Sequence, residues 1–416
     1  MENQFGTKGI INLEKDLSLR KKAEKYIPGG MWGHMSVKKL PYGYPQFFSK
    51  AKDARIWDLD GNCYIDFMCG YGPNILGYNN IEVDQAVDDQ RRKLDLGNGP
   101  SALVVDLAEK ITTLVDGADW ALFAKNGTDA TTTCLTISRA ATDKKKILVA
   151  KGSYHGSAPW CTPVATGVVE EDTSNLIFFE YNDLSSLEEA AQEAGNNLAG
   201  IMLTAFRHDV RRDQELPKKT FLKKARDICD SKNAFLILDD VRAGFRLNRN
   251  GSWFDYGIKP DLTAFSKAIG NGYPLSAVVG TEKLRKAASE IYVTGSFWCN
   301  ATSMAASLKT LSIMEERDVV AHISGLGNKL RSGIDQIASN YGVDISQSGP
   351  SQMPMVLFKD DKDFAKGSKF VQYLLNKGVY FHPWHNMFLS FAHTAQDVDI
   401  ALDAVEYAMK KISTDF

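Results

Sequence analysis

Cysteine is sparse and unpaired in this chain. The six residues (Cys63, Cys69, Cys134, Cys161, Cys229 and Cys299) are scattered over 416 positions, with no C-x-x-C pair and no metal-ligand spacing. That excludes a disulfide scaffold and a zinc ribbon, and in a reducing compartment such cysteines serve as small buried apolar residues. No metal site is expected. No apolar run approaches the ~18 residues of a membrane span, and the opening "MENQFGTKGIINLEKD" has no signal-peptide core. The expectation is a cytoplasmic protein without a membrane partner. Neither sign of charge dominates: 49 Lys+Arg against 51 Asp+Glu leave a net charge of −2, so nothing in the bulk electrostatics calls for nucleic acid. G-x-G-x-x-G and G-x-x-x-x-G-K-[ST] are both absent, which disfavours dinucleotide and NTP binding. N-x-S/T triplets begin at Asn126, Asn250 and Asn300; without a secretory signal they are chance matches.

The chain is longer than one compact core usually holds, which favours two intertwined domains. "ARIWDLDGNCYIDF" alternates apolar and polar residues around Asp60-Gly61, the pattern of a tight hairpin. Beyond it, β-rich runs alternate with helical ones. Strands are expected at 120–123, 146–150, 176–179, 200–203, 235–239 and 276–280, with helices near 128–142, 184–194 and 218–230. This is the signature of an α/β domain around a mostly parallel sheet. After a helix near 300–316 the pattern shifts to "MPMVLF", "GVYFH" and "FLSFA" interleaved with helices. The expected division is a large α/β domain at 70–300 and a smaller α+β domain built from both chain ends, 1–69 and 301–416.

Ligands of parallel α/β sheets sit at the C-terminal ends of strands, and three such ends carry unusual residues. "AFLILD" finishes a buried run on Asp239, a costly place for a carboxylate unless a cation meets it; a helix cap or ion pair is the competing reading. "AKNGTDA" offers Asn126, Gly127 and Thr128 at a helix N-terminus, where unpaired N–H groups and the helix dipole favour a phosphate. A plain capped helix is the alternative. "TAFSKAIGNGYP" sets Lys267 inside an apolar stretch, where desolvation lowers an amine's pKa and makes it a nucleophile able to form a Schiff base. Pyridoxal phosphate (PLP) needs an amine, an acid and a phosphate cradle together, and so accounts for all three.

The segments "YIPGG", "ARIWDLDGNCYIDF", "NGTDA", "KGSYHG", "LILDDVRAGFR", "GIKPDLTAFSKAIGNGYPLSAVVG" and "FAHTAQDVD" follow one another in the order found in a known family. Over nearly its whole length the chain resembles class III, fold type I PLP-dependent aminotransferases, most closely members of the glutamate-1-semialdehyde aminomutase type. The resemblance implies that Lys267 holds the cofactor and shuttles a proton. It implies that Asp239 pairs with the pyridine nitrogen, that Val241 and Tyr154 cover the two faces of the ring, and that His155 lies beside it. Gly127 and Thr128 match the phosphate loop, with Asn126 standing where the family often has serine. Ser296 stands where a hydroxyl reaches the neighbouring subunit's phosphate, which implies a homodimer with shared active sites.

Departures from that pattern bear on the substrate. The arginine that grips the aminomutase substrate's carboxylate falls near Ser36, flanked by His34 and Lys38. "AFRHDVRRDQELP" replaces the usual Glu-Pro and brings Arg207, His208, Arg211 and Arg212; the alternative for Arg211 and Arg212 is a solvated loop. His385 stands where the aminomutase has a glutamate. The leading reading is transfer of an amino group between a donor and an aldehyde or ketone of semialdehyde, amino-sugar or other primary-amine type. One alternative is a PLP aminomutase or ammonia-lyase acting on a hydroxylated amine or an aminophosphonate. A non-catalytic binding protein of the same fold is the third.

Overall fold

The computed structural model describes residues 11–416. Residues 1–10, the start of the segment assigned above to the smaller domain, lie outside the described residues. A seven-stranded sheet runs in the order Trp120–Ala124, Ser276–Gly280, Leu262–Phe265, Phe235–Asp239, Leu198–Thr204, Lys146–Ala150, Leu176–Phe179. Ser276–Gly280 is antiparallel to both neighbours; the remaining pairings are parallel. Leu198–Thr204 and Leu262–Phe265 are buried at every position, because helices cover both faces of a parallel sheet and leave no polar side to alternate with. The strand Leu262–Phe265 has no counterpart in the sequence reading. Its four residues include a polar Thr263, and it is fixed by Ile237 on one side and Val279 and Gly280 on the other, contacts invisible in a local window.

A second sheet joins the two ends of the chain. Phe48–Lys52, Arg55–Asp58 and Cys63–Asp66 form an antiparallel meander, and Val379–Tyr380 adds parallel to Cys63–Asp66. The hairpin turn is held by Asp58, whose Oδ1 accepts from the N–H groups of Asp60 and Asn62 at 3.0 and 2.9 Å. The run "FLSFA", grouped above with the strands, forms none. Phe388 and Phe391 donate their N–H groups to the isolated carbonyls of Phe67 and Ile75 instead of to a ladder. Among the described residues no helix is long and apolar enough to cross a membrane.

Arg246 ties these regions together from a fully buried position. Its Nη1 and Nη2 donate to the carbonyls of Leu389 and Gly72, and its guanidinium lies 5.1 Å from the centre of the Phe388 ring. Two buried carbonyls depend on this one side chain, and an unsatisfied buried acceptor is expensive. Arg246→Met is therefore expected to lower the urea unfolding midpoint by the equivalent of roughly 2–4 kcal/mol. An unchanged midpoint would show that the two carbonyls find other partners.

Candidate active site

The C-terminal ends of the parallel strands open on one cavity of about 500 Å³. Trp120–Ala124 leads into Asn126, Gly127 and Thr128. Lys146–Ala150 leads into Tyr154 and His155. Leu198–Thr204 leads to His208, Phe235–Asp239 ends on Asp239 with Val241 and Arg242 following, and Leu262–Phe265 leads to Lys267; all of these line the cavity. Of the fifteen positions singled out in the sequence, the structure brings eight to this lining: Asn126, Gly127, Thr128, Tyr154, His155, Asp239, Val241 and Lys267.

Lys267 begins a short 3₁₀ turn directly after its strand, with a left-handed φ of +49°. That conformation is unfavourable for a residue with a Cβ and persists only where surrounding structure imposes it. The amine has no hydrogen-bond or ion-pair partner among the described residues. Desolvation first, and then the positive charge of Arg242, draw its pKa down to about 7, with Asp239 pulling the other way. Near neutral pH a large share of the amine is free base, whereas an ordinary lysine is neutral in only about one molecule in 3,000.

Adjacent carboxylates have separate surroundings. Asp239 accepts the Val241 N–H on Oδ1 at 3.1 Å, while its Oδ2 is 2.7 Å from Nδ1 of His155. His155 is itself buried, with its Nε2 unpartnered. Asp240 points the other way, taking the Ser252 N–H at 3.0 Å and the Ser252 hydroxyl at 2.6 Å; burial raises its pKa to about 7. Only Asp239 faces the cavity.

Helix Gly127–Thr142 starts with a capping box: Oδ1 of Asn126 accepts from the Asp129 N–H, and Asp129 returns the bond to the Asn126 N–H. The N–H groups of Gly127 and Thr128, in the first turn, are left for an outside acceptor. Gly127 is closely packed: a Cβ there would lie 2.7 Å from Cγ1 of Val241. Gly156, at φ +131°, would bring a Cβ to 2.4 Å from Oγ1 of Thr128, the hydroxyl that also accepts from the Ser157 N–H. A partnerless amine, a carboxylate steadied by a histidine and a glycine-floored helix N-terminus are the three groups that PLP requires, so the residues present fit that cofactor.

The remaining predicted positions lie outside the lining. His34 packs edge-on to Tyr71 at 4.7 Å, close enough to Lys267 and Arg242 for their charges to add to desolvation in lowering its pKa. The ring centre of His385 lies 5.3 Å from that of Tyr71, and burial keeps its pKa well below the usual histidine range. Ser36 is half-buried, while Lys38 reaches outward toward Glu24. Arg207 is buried against Asp209, and Arg211 is exposed over the rings of Trp384 and Phe364. Ser296 is exposed, on a segment that also exposes Tyr292 and Phe297. Six further lining residues carry no role in the sequence reading, and His208 and Arg242 are the basic ones among them. His208 appears there only within a basic segment, and Arg242 only as a letter of "LILDDVRAGFR", although an arginine three residues past a strand-terminal aspartate was itself a legible signal.

The profile of the family described as "Aminotransferase class-III" matches residues 39–411. The chain is 46% identical to the aminopentol aminotransferase of Sphingopyxis macrogoltabida, covering 98% of this chain and 96% of that protein. It is 30% identical to the glutamate-1-semialdehyde 2,1-aminomutase of Persephonella marina, covering 97% and 100%. The solved structure of the PLP internal aldimine form of the FumI protein from a Sphingopyxis species superposes with a TM-score of 0.95 at 46% identity, covering 96% of this chain and 97% of that one.

The lowered pKa of Lys267 has a direct readout. Since only the neutral amine attacks a carbonyl, labelling of Lys267 by a small aldehyde and cyanoborohydride in cofactor-free protein should climb through about pH 7 and level off above it. A climb continuing to the ordinary lysine range would show that the amine is solvated.

Proposed function

The chain belongs to the class-III aminotransferases and is a PLP-dependent enzyme that moves an amino group between a donor and an aldehyde or ketone; from that premise we propose the roles of its residues and the kind of amine it accepts. PLP, when bound, supplies an aldehyde carbon for an amine and a pyridine ring that accepts electron density from a carbon losing its proton. Lys267, the only lysine lining the cavity among the described residues, would hold that aldehyde carbon. Displaced by the substrate amine, it would then act as the base at the substrate carbon. Asp239 would hold a proton on the ring nitrogen, kept in position by His155. Val241 and Tyr154 would enclose the ring, while Gly127, Thr128 and the Asn126 cap would hold the phosphate.

Ser296, exposed beside Tyr292 at 92% and Phe297 at 55%, would reach the phosphate of a second copy in a homodimer. Two exposed aromatics next to a polar anchor favour an interface on this segment. All six cysteines are free thiols, which suits the cytoplasmic location we propose.

The substrate reading rests on one observation: the histidines packed around Tyr71, outside the cavity lining but within reach of the charges of Lys267 and Arg242, are held neutral. Burial lowers the pKa of His382 to about 3 and that of His385 well below the usual range. Nδ1 of His385 faces the Asn386 carbonyl at 2.8 Å, so it carries the proton and leaves Nε2 as an acceptor. Nδ1 of His382 accepts from the Trp384 N–H at 3.3 Å, which leaves Nε2 as a donor. One donor and one acceptor without charge suit a hydroxyl, which both gives and takes a hydrogen bond, and offer a carboxylate little. With Ser36 in place of a clamp, this supports a primary amine on a hydroxylated aliphatic chain, the chemistry named in aminopentol aminotransferase.

Mixing the yellow holoenzyme with a long-chain amino-alcohol, and separately with the same chain bearing a carboxylate in place of the hydroxyls, tests this reading. Absorbance of the aldehyde form should give way to that of the amine form faster with the amino-alcohol. Preference for the carboxylate chain would overturn the substrate assignment, and ammonia release without cofactor conversion would favour lyase chemistry. Lys267→Ala should keep cofactor through the phosphate cradle yet lose about 10⁴-fold or more of turnover. Asp239→Asn should cut turnover far more than Asp240→Asn, whose cost should appear as lost stability of roughly 1–3 kcal/mol. Equal loss of turnover from the two variants would mean that the acid is misassigned.

A further inference from the structure

The segment between the strand Leu198–Thr204 and the helix Lys219–Lys232 carries a cation that the roles above do not use. Arg207 and Glu215 close this segment into a loop by exchanging N–H bonds to each other's carbonyls at 2.8 and 3.0 Å. Near its tip, Asp213 accepts the Ser346 hydroxyl at 2.7 Å and the Gln214 N–H reaches Oγ of Ser348 at 2.9 Å, so the strand Ile345–Ser348 anchors it. Arg211 stands at the tip with a left-handed φ of +66°. Its N–H donates to the Trp384 carbonyl at 2.9 Å. Its guanidinium lies 4.9 Å from the centre of the Trp384 ring and 5.9 Å from that of Phe364, a residue itself left-handed at +60°. Such backbones persist only where the surrounding structure imposes them. The guanidinium has no carboxylate partner among the described residues, since Asp209 is taken by Arg207 and Arg212. Its hold on the two rings is therefore a cation–π contact.

Trp384 passes that hold on. Residues 381–386 follow Val379–Tyr380 and belong to no helix or strand, so no ladder fixes Trp384. Its N–H reaches Nδ1 of His382 at 3.3 Å, and the two rings meet edge-on at 5.3 Å. A bond that long fails with a modest tilt, so the His382 proton stays on Nε2 only while Trp384 is held. The Arg211 charge is felt at His382 as well, adding to desolvation in opposing its protonation. We propose that Arg211 is a positioning residue that sets substrate specificity: acting through Trp384, it keeps Nε2 of His382 as a hydrogen-bond donor beside Tyr71. The inference rests on the hydroxylated-chain reading and deepens it. In the other tautomer His382 and His385 would both offer acceptors, and a substrate hydroxyl has one proton to give.

The test compares wild-type holoenzyme with Arg211→Gly and Arg211→Lys. Glycine accepts the left-handed backbone without strain and keeps the N–H, so it removes the side chain alone. Lysine keeps a cation but loses the planar stack. Nitrogen NMR of enzyme labelled at its seven histidines, with His382 assigned through His382→Gln, reads the tautomer. Wild type should show one form, Nδ1 bare and Nε2 protonated; Arg211→Gly should show both, and Arg211→Lys should fall between. The ratio of kcat/KM for a long-chain amino-alcohol over that for the same amine without hydroxyls should drop by about 5-fold in Arg211→Gly, the worth of one neutral hydrogen bond, chiefly through KM. Cofactor absorbance and Tm show whether each variant is folded; if the glycine variant is not, Arg211→Gln carries the comparison. The proposal is overturned if the His382 nitrogens are alike in all the enzymes or if the ratio holds steady. It is overturned equally if the variants lose rate on the carboxylate-bearing chain instead, which would make Arg211 a direct anion contact. If wild type itself prefers the plain amine, the hydroxylated-chain reading falls, and the NMR comparison alone decides whether Arg211 positions His382.

Discussion

An amine without a counter-ion, held in a desolvated cavity beside a guanidinium, is the arrangement on which the rest of this site depends. Lys267 and Arg242 repel one another, and Asp239, the one carboxylate that offsets both, is already engaged by His155 and the Val241 N–H. Left to itself such a set would relax, with the lysine swinging to solvent or onto the carboxylate. The backbone prevents it: Lys267 sits in a left-handed conformation at the end of a buried strand, and the turn that follows it is buried through Gly270. Adding the helix N-terminus at Gly127, the cavity presents an excess of positive potential. A dianionic phosphate and a carboxylate are the ligands that such a potential selects.

The sheet turns that electrostatic demand into geometry. Five strands running the same way end at one edge, and each hands over one to three lining side chains within about five residues, so strand register sets where each short following loop begins. Register also separates the two neighbouring aspartates. Side chains alternate along an extended chain, so Asp239 opens on the cavity while Asp240 is taken by Ser252. The cluster of neutral histidines next to the cavity is assembled differently, from Tyr71 in a left-handed segment and from the histidines after Val379–Tyr380, which meet through the sheet that joins the chain ends.

These two modes of construction explain what could be read in the sequence. Asp239, Lys267 and the Gly127-Thr128 turn were legible because each breaks a local rule: a charge ends or interrupts an apolar run, or glycine opens a helix. The strand Leu262–Phe265 was not, because its strand character comes from its two neighbours rather than from its own four residues. The run "FLSFA" misled for the opposite reason, being apolar enough for a strand but lying where its N–H groups meet single carbonyls. Among the basic residues the sequence drew attention to Arg207 and Arg211, which are spent on Asp209 and on surface aromatic rings. A charge run in a loop says nothing about which member is paired, and that is a question only tertiary contacts answer.

Arg242 and Arg246 make that last point within one short segment. They stand four residues apart in "VRAGFR", both are drawn down to about 10 by burial, and nothing local distinguishes them. Arg246 spends both terminal nitrogens on the carbonyls of Leu389 and Gly72 and lies against Phe388, so its charge is enclosed by acceptors and its role ends with the fold. Arg242 spends one nitrogen on two acceptors and leaves the others facing open space beside the amine. Two desolvated arginines thus differ in what surrounds them. Where the protein itself satisfies the cation, removing it costs stability; where donors are left unmet on a cavity wall, contacts within the fold do not account for the charge.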